Sequence, residues 1–248
     1  MSERPNILFI MADQLRPQSC GYMGDAKAQT SNLDRLAAEG IVFNRAYTTS
    51  DVCTPARVSM LTGKYPSRHG CYTIGTELPE DYTTIPEKLS KHGYFTGLLG
   101  KGHFSPCLFE GSLEASPRAF DAAFFSQWSG PWYGFDYVQL CIGHSSETLS
   151  AGMHYGVWLN EKGIDPHKYF GKQSNADYGI WDLPEWAHNS TWVGDVTIDA
   201  IDRAKASDKP FYLWSSFQDP HNPWLVPEPW ASMYNPEPPH KTGSLPLF

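Results

Sequence analysis

Residues 6–11, NILFIM, form an unbroken apolar run bounded by Pro5 and Asp13. A strand with one wet face alternates polar and apolar side chains. An unbroken run belongs to a strand covered on both faces, the usual condition of a parallel sheet. Polar residues gather where the run ends: Asp13, Gln14 and Arg16. In open α/β sheets ligands bind beyond the carboxyl ends of the strands, so Asp13 and Gln14 are site candidates by position alone.

The same arrangement recurs. Residues 209–217, KPFYLWSSF, read as a second buried strand and run into Gln218, Asp219 and His221. Between these runs, TSNLDRLAAEGIVF reads as a helix that Ser31 or Asn32 caps, with Leu33, Leu36 and Ala37 on one face and Gly40 as its stop. IVFNRAYTT is expected to be a strand. A helix is expected from about residue 55 to 61, where Pro55 suits the first turn. TTIPEKLSKHG reads as a helix closed by Gly93, YFTGLLGK as a strand, and TWVGDVTIDAIDRAKA as an amphipathic helix. The alternation predicts an α/β fold with a central, mostly parallel sheet flanked by helices. Residues 104–189, rich in Gly, Pro, Trp and Tyr and weak in periodicity, are expected to be loops or an insertion covering the sheet edge and shaping a pocket. The proline-rich tail, 227–248, suggests no element, and no internal repeat is visible.

A chain of 248 residues suits one large domain or two small ones. Its net charge of −8 argues against a nucleic-acid partner, which would need a basic face. Five cysteines, an odd number with no C-x-x-C pair, argue against a disulfide framework or a zinc site. No apolar run reaches the length of a membrane span, so no membrane partner is expected. No signal peptide precedes the first strand. As written the chain is expected to be cytoplasmic; with a trimmed start it would be periplasmic or secreted. Nine tryptophans and thirteen tyrosines either fill the core or line a pocket for a sugar, an aryl group or a choline-like cation.

One cysteine has unusual company. In SDVCTPARVSMLTG, Cys53 stands just before a helix, whose free N–H groups and dipole favour an anion. Arg57 lies one turn on and reaches back towards that end. The arrangement would activate a thiol, and it would equally suit an oxyanion such as sulfate or phosphate.

CTPAR (53–57) followed by LTGKYPSRHG (61–70), with GYFTGLLGKGH (93–103), resembles the two signatures of the type I sulfatases of the alkaline phosphatase superfamily. PNILFIMADQ and TSNLDRLAAEGIVF resemble that family's opening, and the likeness resumes at about residues 191–223. The resemblance implies an alkaline-phosphatase-like sandwich, with residues 1–248 as the N-terminal part of a sulfatase catalytic domain. It implies that a maturation enzyme oxidises Cys53 to Cα-formylglycine, whose hydrate attacks the sulfur of a sulfate ester. The substrate would be a sulfated small molecule or carbohydrate. By the same resemblance Asp13, Gln14 and the modified Cys53 bind a divalent metal, Ca²⁺ first, with Mg²⁺ or Mn²⁺ as alternatives. Arg57 holds the modified residue, Lys101 contacts the sulfate oxygens and His103 bonds a hydroxyl of the diol. His221 stands near the leaving-group oxygen, and His188 lines the pocket. Taken singly, Asp13 could cap a turn, His69 and His103 could be ordinary histidines, and Cys20, Cys71, Cys107 and Cys141 read as small buried or partly buried side chains.

Three departures stand out. Asp51 precedes Cys53 where family members carry a small residue. Gly102 separates Lys101 from His103 where a bulky residue is common. Family members are also about twice as long, and no second Asp-Asn or Asp-His metal pair follows His221. The chain is therefore expected to be truncated, lacking the C-terminal part, and weak or inactive by itself. The competing readings are a phosphonate or phosphate ester hydrolase of the same superfamily, a non-catalytic anion-binding protein, and a hydrolase using Cys53 as a bare thiolate.

Overall fold

The computed structural model describes residues 4–107, 109–171 and 178–234. Its strands are β1 (Ile7–Ala12), β2 (Phe95–Gly100), β3 (Tyr137–Leu140), β4 (Tyr178–Ile180), β5 (Phe211–Phe217) and β6 (Trp224–Val226). The helices are α1 (Ser31–Glu39), α2 (Cys53–Thr62), α3 (Pro66–His69), α4 (Ile85–Lys91), α5 (Ala122–Phe125), α6 (Met153–Glu161), α7 (Pro166–Tyr169) and α8 (Asn189–Ala206). The central sheet has the order β1-β5-β2-β3 and every pairing in it is parallel. Ile7 lies opposite Tyr212, Phe95 opposite Phe211, and Gly97 opposite Tyr137. All four carboxyl ends therefore meet along one edge, the edge at which such sheets hold ligands. β4 and β6 make a separate two-stranded parallel sheet.

The apolar runs of β2 and β5 are explained by the layers. Alternate residues of β2 and β5 pack on opposite sides. Leu98, Tyr212 and Trp214 join a cluster with Val58 and Leu61 of α2, while Leu99, Phe211 and Leu213 join one with Ala200 and Ala204 of α8. Each fully buried leucine here contributes on the order of 2 kcal/mol. α4 starts on a capping box, in which the Thr84 hydroxyl accepts from the Glu87 N–H and the Glu87 carboxylate accepts from the Thr84 N–H.

Three expectations need correction. Residues 6–11 are expected to be covered on both faces, yet β1 is the end strand of the sheet and Leu8 and Ile10 are exposed. IVFNRAYTT carries no strand. Ile41, Phe43 and Tyr47 are exposed, and β1 pairs only with β5 among the described residues, so no neighbouring ladder holds this run. The segment 104–189 is not all loop: it supplies the sheet strand β3 and the helix α6. The four residues of β3 are too few for periodicity to announce them. Many of the segment's aromatics fill the core: Trp132, Tyr133, Phe135, Tyr155, Trp181 and Phe170 are all buried. The expectation for the tail beyond residue 234 lies outside the described residues.

Among the described residues no strand pairs with the outer side of β1. Leu8 and Ile10 are exposed, and α1, amphipathic as read, buries none of its residues. No helix among the described residues is long and apolar enough to cross a membrane.

Candidate active site

Lys101 is the hub of the site. It follows β2 directly and its backbone N–H donates to the Ser216 carbonyl on β5, 3.0 Å away. The approach requires Gly100, which has a φ of +100° and whose added Cβ would collide with that same carbonyl. The Lys101 side chain is fully buried. Its ammonium pairs with Asp13 Oδ2, lies 2.7 Å from His144 Nε2 and stands 4.0 Å from Cys53 Sγ.

Arg57 braces the hub from α2. The guanidinium is fully buried; Nη1 donates to the Lys101 carbonyl and to Ser216 Oγ, both at 2.8 Å, and Nη2 stands 3.4 Å from Asp13 Oδ2. Arg57 Nε and Nη2 have no hydrogen-bond partner among the described residues. α2 opens at Cys53 with no side-chain cap on its N-terminal N–H groups. Donors and positive charge thus converge around Cys53, which is itself half-buried and reachable.

The electrostatics sort the groups. Burial works to raise the Asp13 carboxyl, but Lys101 and Arg57 outweigh it and hold the group below its usual range. Asp13 is an anion. Burial, reinforced by Lys101, Arg57 and His144, drives His103 well below the ordinary histidine range, so it is neutral. Burial likewise lowers His144, against the pull of Glu147. Neutral His144 accepts from the Lys101 ammonium through Nε2, which puts its proton on Nδ1, 3.4 Å from Glu147 Oε2. The His221 ring stacks on His144 at 3.5 Å between centroids and 7° between planes.

The structure therefore gathers Asp13, Cys53, Arg57 and Lys101 into one cluster and brings His221 to it through His144. His103 follows two residues after Lys101, with Nε2 3.4 Å from Cys107 Sγ. Gly102 answers its own oddity: an added Cβ would stand 2.8 Å from the Trp132 ring and 3.1 Å from Glu114 Oε1. Gln14 neighbours Asp13 but is exposed, in the left-handed region at φ +57°. His188 is buried away from this cluster. It caps α8 by accepting from the Ser190 N–H, stands 3.7 Å from Asp219 Oδ2, and borders a cavity of about 350 Å³ with Trp230. Asp219 braces this region: its carboxylate accepts from Ser190 Oγ, and its carbonyl accepts from the Asp13 N–H. His69 is structural, bonded to Ser59 Oγ and the Cys71 N–H. All five cysteines are free, with Cys20, Cys71 and Cys141 buried.

The donor set does not complete a metal centre. Among the described residues no group of three His, Cys, Asp or Glu side chains is placed to hold a metal ion. The Asp13 carboxylate is engaged by Lys101 and Arg57, and a hard cation such as Ca²⁺ takes six or more oxygens.

Sequence reasoning missed His144, Glu147, Ser216 and Glu114. His144 sits four residues past β3, so the rule that flagged Asp13 and His221 would have flagged it had β3 been recognised.

Known proteins resemble the whole chain. The family model described as Sulfatase matches residues 5–242. The sequence is 30% identical over 235 residues to an uncharacterized sulfatase, YidJ, of Escherichia coli (strain K12), covering 94% of this chain and 41% of that protein. It is 31% identical over 253 residues to an arylsulfatase of Clostridium perfringens (strain 13 / Type A), covering 94% of this chain and 47% of that protein. The fold matches the crystal structure of a phosphonate monoester hydrolase of Agrobacterium radiobacter with a TM-score of 0.69 at 24% identity, over 94% of this chain and 44% of that one. The chain spans less than half the length of these proteins.

Proposed function

The chain belongs to the sulfatase family, and from that membership we propose that the cluster around Cys53 cleaves a sulfate ester of a small molecule or carbohydrate. The observation that carries the reading is the half-buried Cys53 Sγ, 4.0 Å from a fully buried ammonium at the uncapped start of α2. A core cysteine has no use for that setting, whereas a group attacking an oxyanion does.

Conversion of Cys53 to formylglycine by a maturation enzyme would supply a hydrated aldehyde as the attacking oxygen. The chain's own residues do the rest. Lys101 would bind a sulfuryl oxygen and offset the charge that builds on it. Arg57, with unspent donors and its Nη1 tied to two elements, would hold the residue at position 53 in line. Neutral His103 would serve as a hydrogen-bond partner rather than a charge. His221, stacked on His144, would meet the leaving alcohol oxygen. No step is assigned to a metal, because the described donors do not complete a site for one. Asp13 and Gln14 would be at most a part of such a site, whether for Ca²⁺, Mg²⁺ or Mn²⁺.

The second reading is a phosphonate or phosphate ester substrate. What favours it is Gln14: a neutral amide beside Asp13 leaves the site less negative than a carboxylate pair and so more tolerant of the dianion of a phosphate monoester, whereas a phosphonate monoester carries the same single charge as a sulfate ester.

The test begins with the mass of the peptide spanning Cys53 after expression with and without the maturation enzyme. Rates on matched aryl sulfate and aryl phosphonate monoesters follow. Conversion of CH₂SH to CHO with faster aryl sulfate turnover supports the first reading, and faster phosphonate turnover the second. An unmodified thiol with neither activity overturns both.

A further inference from the structure

Glu114 is buried to 1% exposure in a fold where buried carboxylates need a purpose, and nothing in the proposed chemistry uses it. Its surroundings are specific. Oε1 accepts from the His103 backbone N–H. Oε2 accepts from the Ser105 N–H at 2.9 Å and from Ser105 Oγ at 3.0 Å. Ser112 Oγ in turn donates to Ser105 Oγ at 2.8 Å. Successive N–H groups turned to one side around a left-handed residue form a concavity that binds anions, and here the acceptor is a carboxyl of the same protein, which burial pushes above its usual range against the pull of those N–H groups.

The residue at the centre of that concavity is His103, with φ at +59°. A non-glycine residue there costs on the order of 1 kcal/mol and persists where its surroundings over-determine it. Three anchors do so. Arg57 holds the Lys101 carbonyl, and Glu114 holds the N–H groups on either side of Phe104. The Phe104 ring is locked among Trp132, Tyr133 and Trp214, each 5.6 Å away between centroids. Of these anchors Glu114 alone acts on His103 itself. Gly102 fits the same picture, since a side chain there would press on both Trp132 and Glu114.

We infer that Glu114 is the positioning residue of this site: by capturing the His103 and Ser105 N–H groups it fixes the left-handed turn that delivers the His103 imidazole beside Lys101. In its absence the turn relaxes towards an ordinary conformation and the imidazole swings out of register. The kinetic consequence rests on the proposed sulfatase reading; the placement of the ring does not.

Glu114→Gln is the test, because the amide keeps the shape while turning one acceptor into a donor that faces an N–H. In the full chain with isotope-labelled histidine, the His103 ring signals are expected to move and the His103 and Ser105 amides to exchange at least tenfold faster. The Leu98 and Leu99 amides in β2 should stay protected. If the wild-type chain turns over an aryl sulfate, kcat should fall about 10- to 100-fold with KM little changed, the loss of one to two charge-assisted hydrogen bonds. Unmoved ring signals and unaltered exchange overturn the inference, whatever happens to kcat. Moved signals without any wild-type turnover sustain it, and the sulfatase reading is then decided by the mass and rate test of the proposed function alone. Should Glu114→Gln fail to fold, Ser105→Ala decides in its place. That variant removes one donor to Oε2 and should shift the His103 signals in the same direction by less; no shift overturns the proposal.

Discussion

Lys101 Nζ and His144 Nε2 stand 2.7 Å apart, joining the residue after β2 to the loop after β3. The imidazole is held from both sides, by Glu147 at Nδ1 and by the stacked ring of His221. Replacing His144 with alanine removes an acceptor from a buried ammonium and the platform under His221. The expected loss is about 1.5–3 kcal/mol of transition-state stabilisation, or about 10- to 100-fold in kcat/KM. His144→Gln, which keeps an acceptor, should recover part of it. Equal rates for wild type and His144→Ala on an aryl sulfate would remove His144 from the site.

Arg57 is a structural tie as well as a candidate binding group. Arg57→Lys preserves charge but not the fork that reaches both the Lys101 carbonyl and Ser216 Oγ. Arg57→Ala also leaves the Asp13 carboxylate with one cation fewer. About 3 kcal/mol of destabilisation is expected for the alanine variant, a drop of about 10 °C in Tm for a chain of this size. The lysine variant should fall between it and wild type. Thermal unfolding followed by near-ultraviolet circular dichroism checks this, and matching Tm values for all three proteins would refute it.

Gly100→Ala should be worse than most core substitutions. The position needs φ +100°, and a Cβ would strike the Ser216 carbonyl that receives the Lys101 N–H. A loss of about 3 kcal/mol or more is expected from strain and forced separation of β2 and β5. Denaturant unfolding measures it; a midpoint within error of wild type would contradict the close approach.

His154 sets a pH limit on stability. Its Nδ1 accepts from the Leu140 N–H at 2.9 Å and its Nε2 faces the Trp128 carbonyl at 2.8 Å, so a second ring proton would point at a donor. Burial takes the group from 6.5 down to about 4. Above pH 6.5 both folded and unfolded forms are neutral and the contribution is complete. As pH falls below 6.5 the unfolded chain takes the proton first, so stability declines until about pH 4, by about 3 kcal/mol in total. Urea unfolding of wild type and His154→Gln at pH 7 and pH 4.5 should show the steeper decline in wild type. Parallel declines would assign the pH dependence to other groups.

The legible part of this protein was what local pattern controls. The runs around Leu98 and Leu213 announced buried parallel strands, the run around Leu8 announced a parallel strand but not its open outer side, and Gly40 and Gly93 marked the stops of α1 and α4. Asp13 and Arg57 were found because a strand end and a helix start are readable positions, and Lys101 through the family resemblance. What pattern could not convey was pairing. IVFNRAYTT has the composition of a strand yet lies beside no ladder, while YVQL has almost none of the length and pairs with β2. Glu114 and His144 escaped for the same reason, since each matters through a partner distant in sequence: an N–H eleven residues back for one, an ammonium 43 residues back for the other. The aromatic-rich stretch left core and pocket both open, and rings such as Trp132 and Phe135 turn inward to support Phe104 and Trp214.

Among the described residues the outer margin of β1 has no partner strand for its backbone donors and acceptors, beside exposed Leu8 and Ile10. Such a row does not discriminate among the chains it meets. Where that margin meets another strand, the ladder that results grows with concentration, so persistence as a single species becomes a matter of dilution.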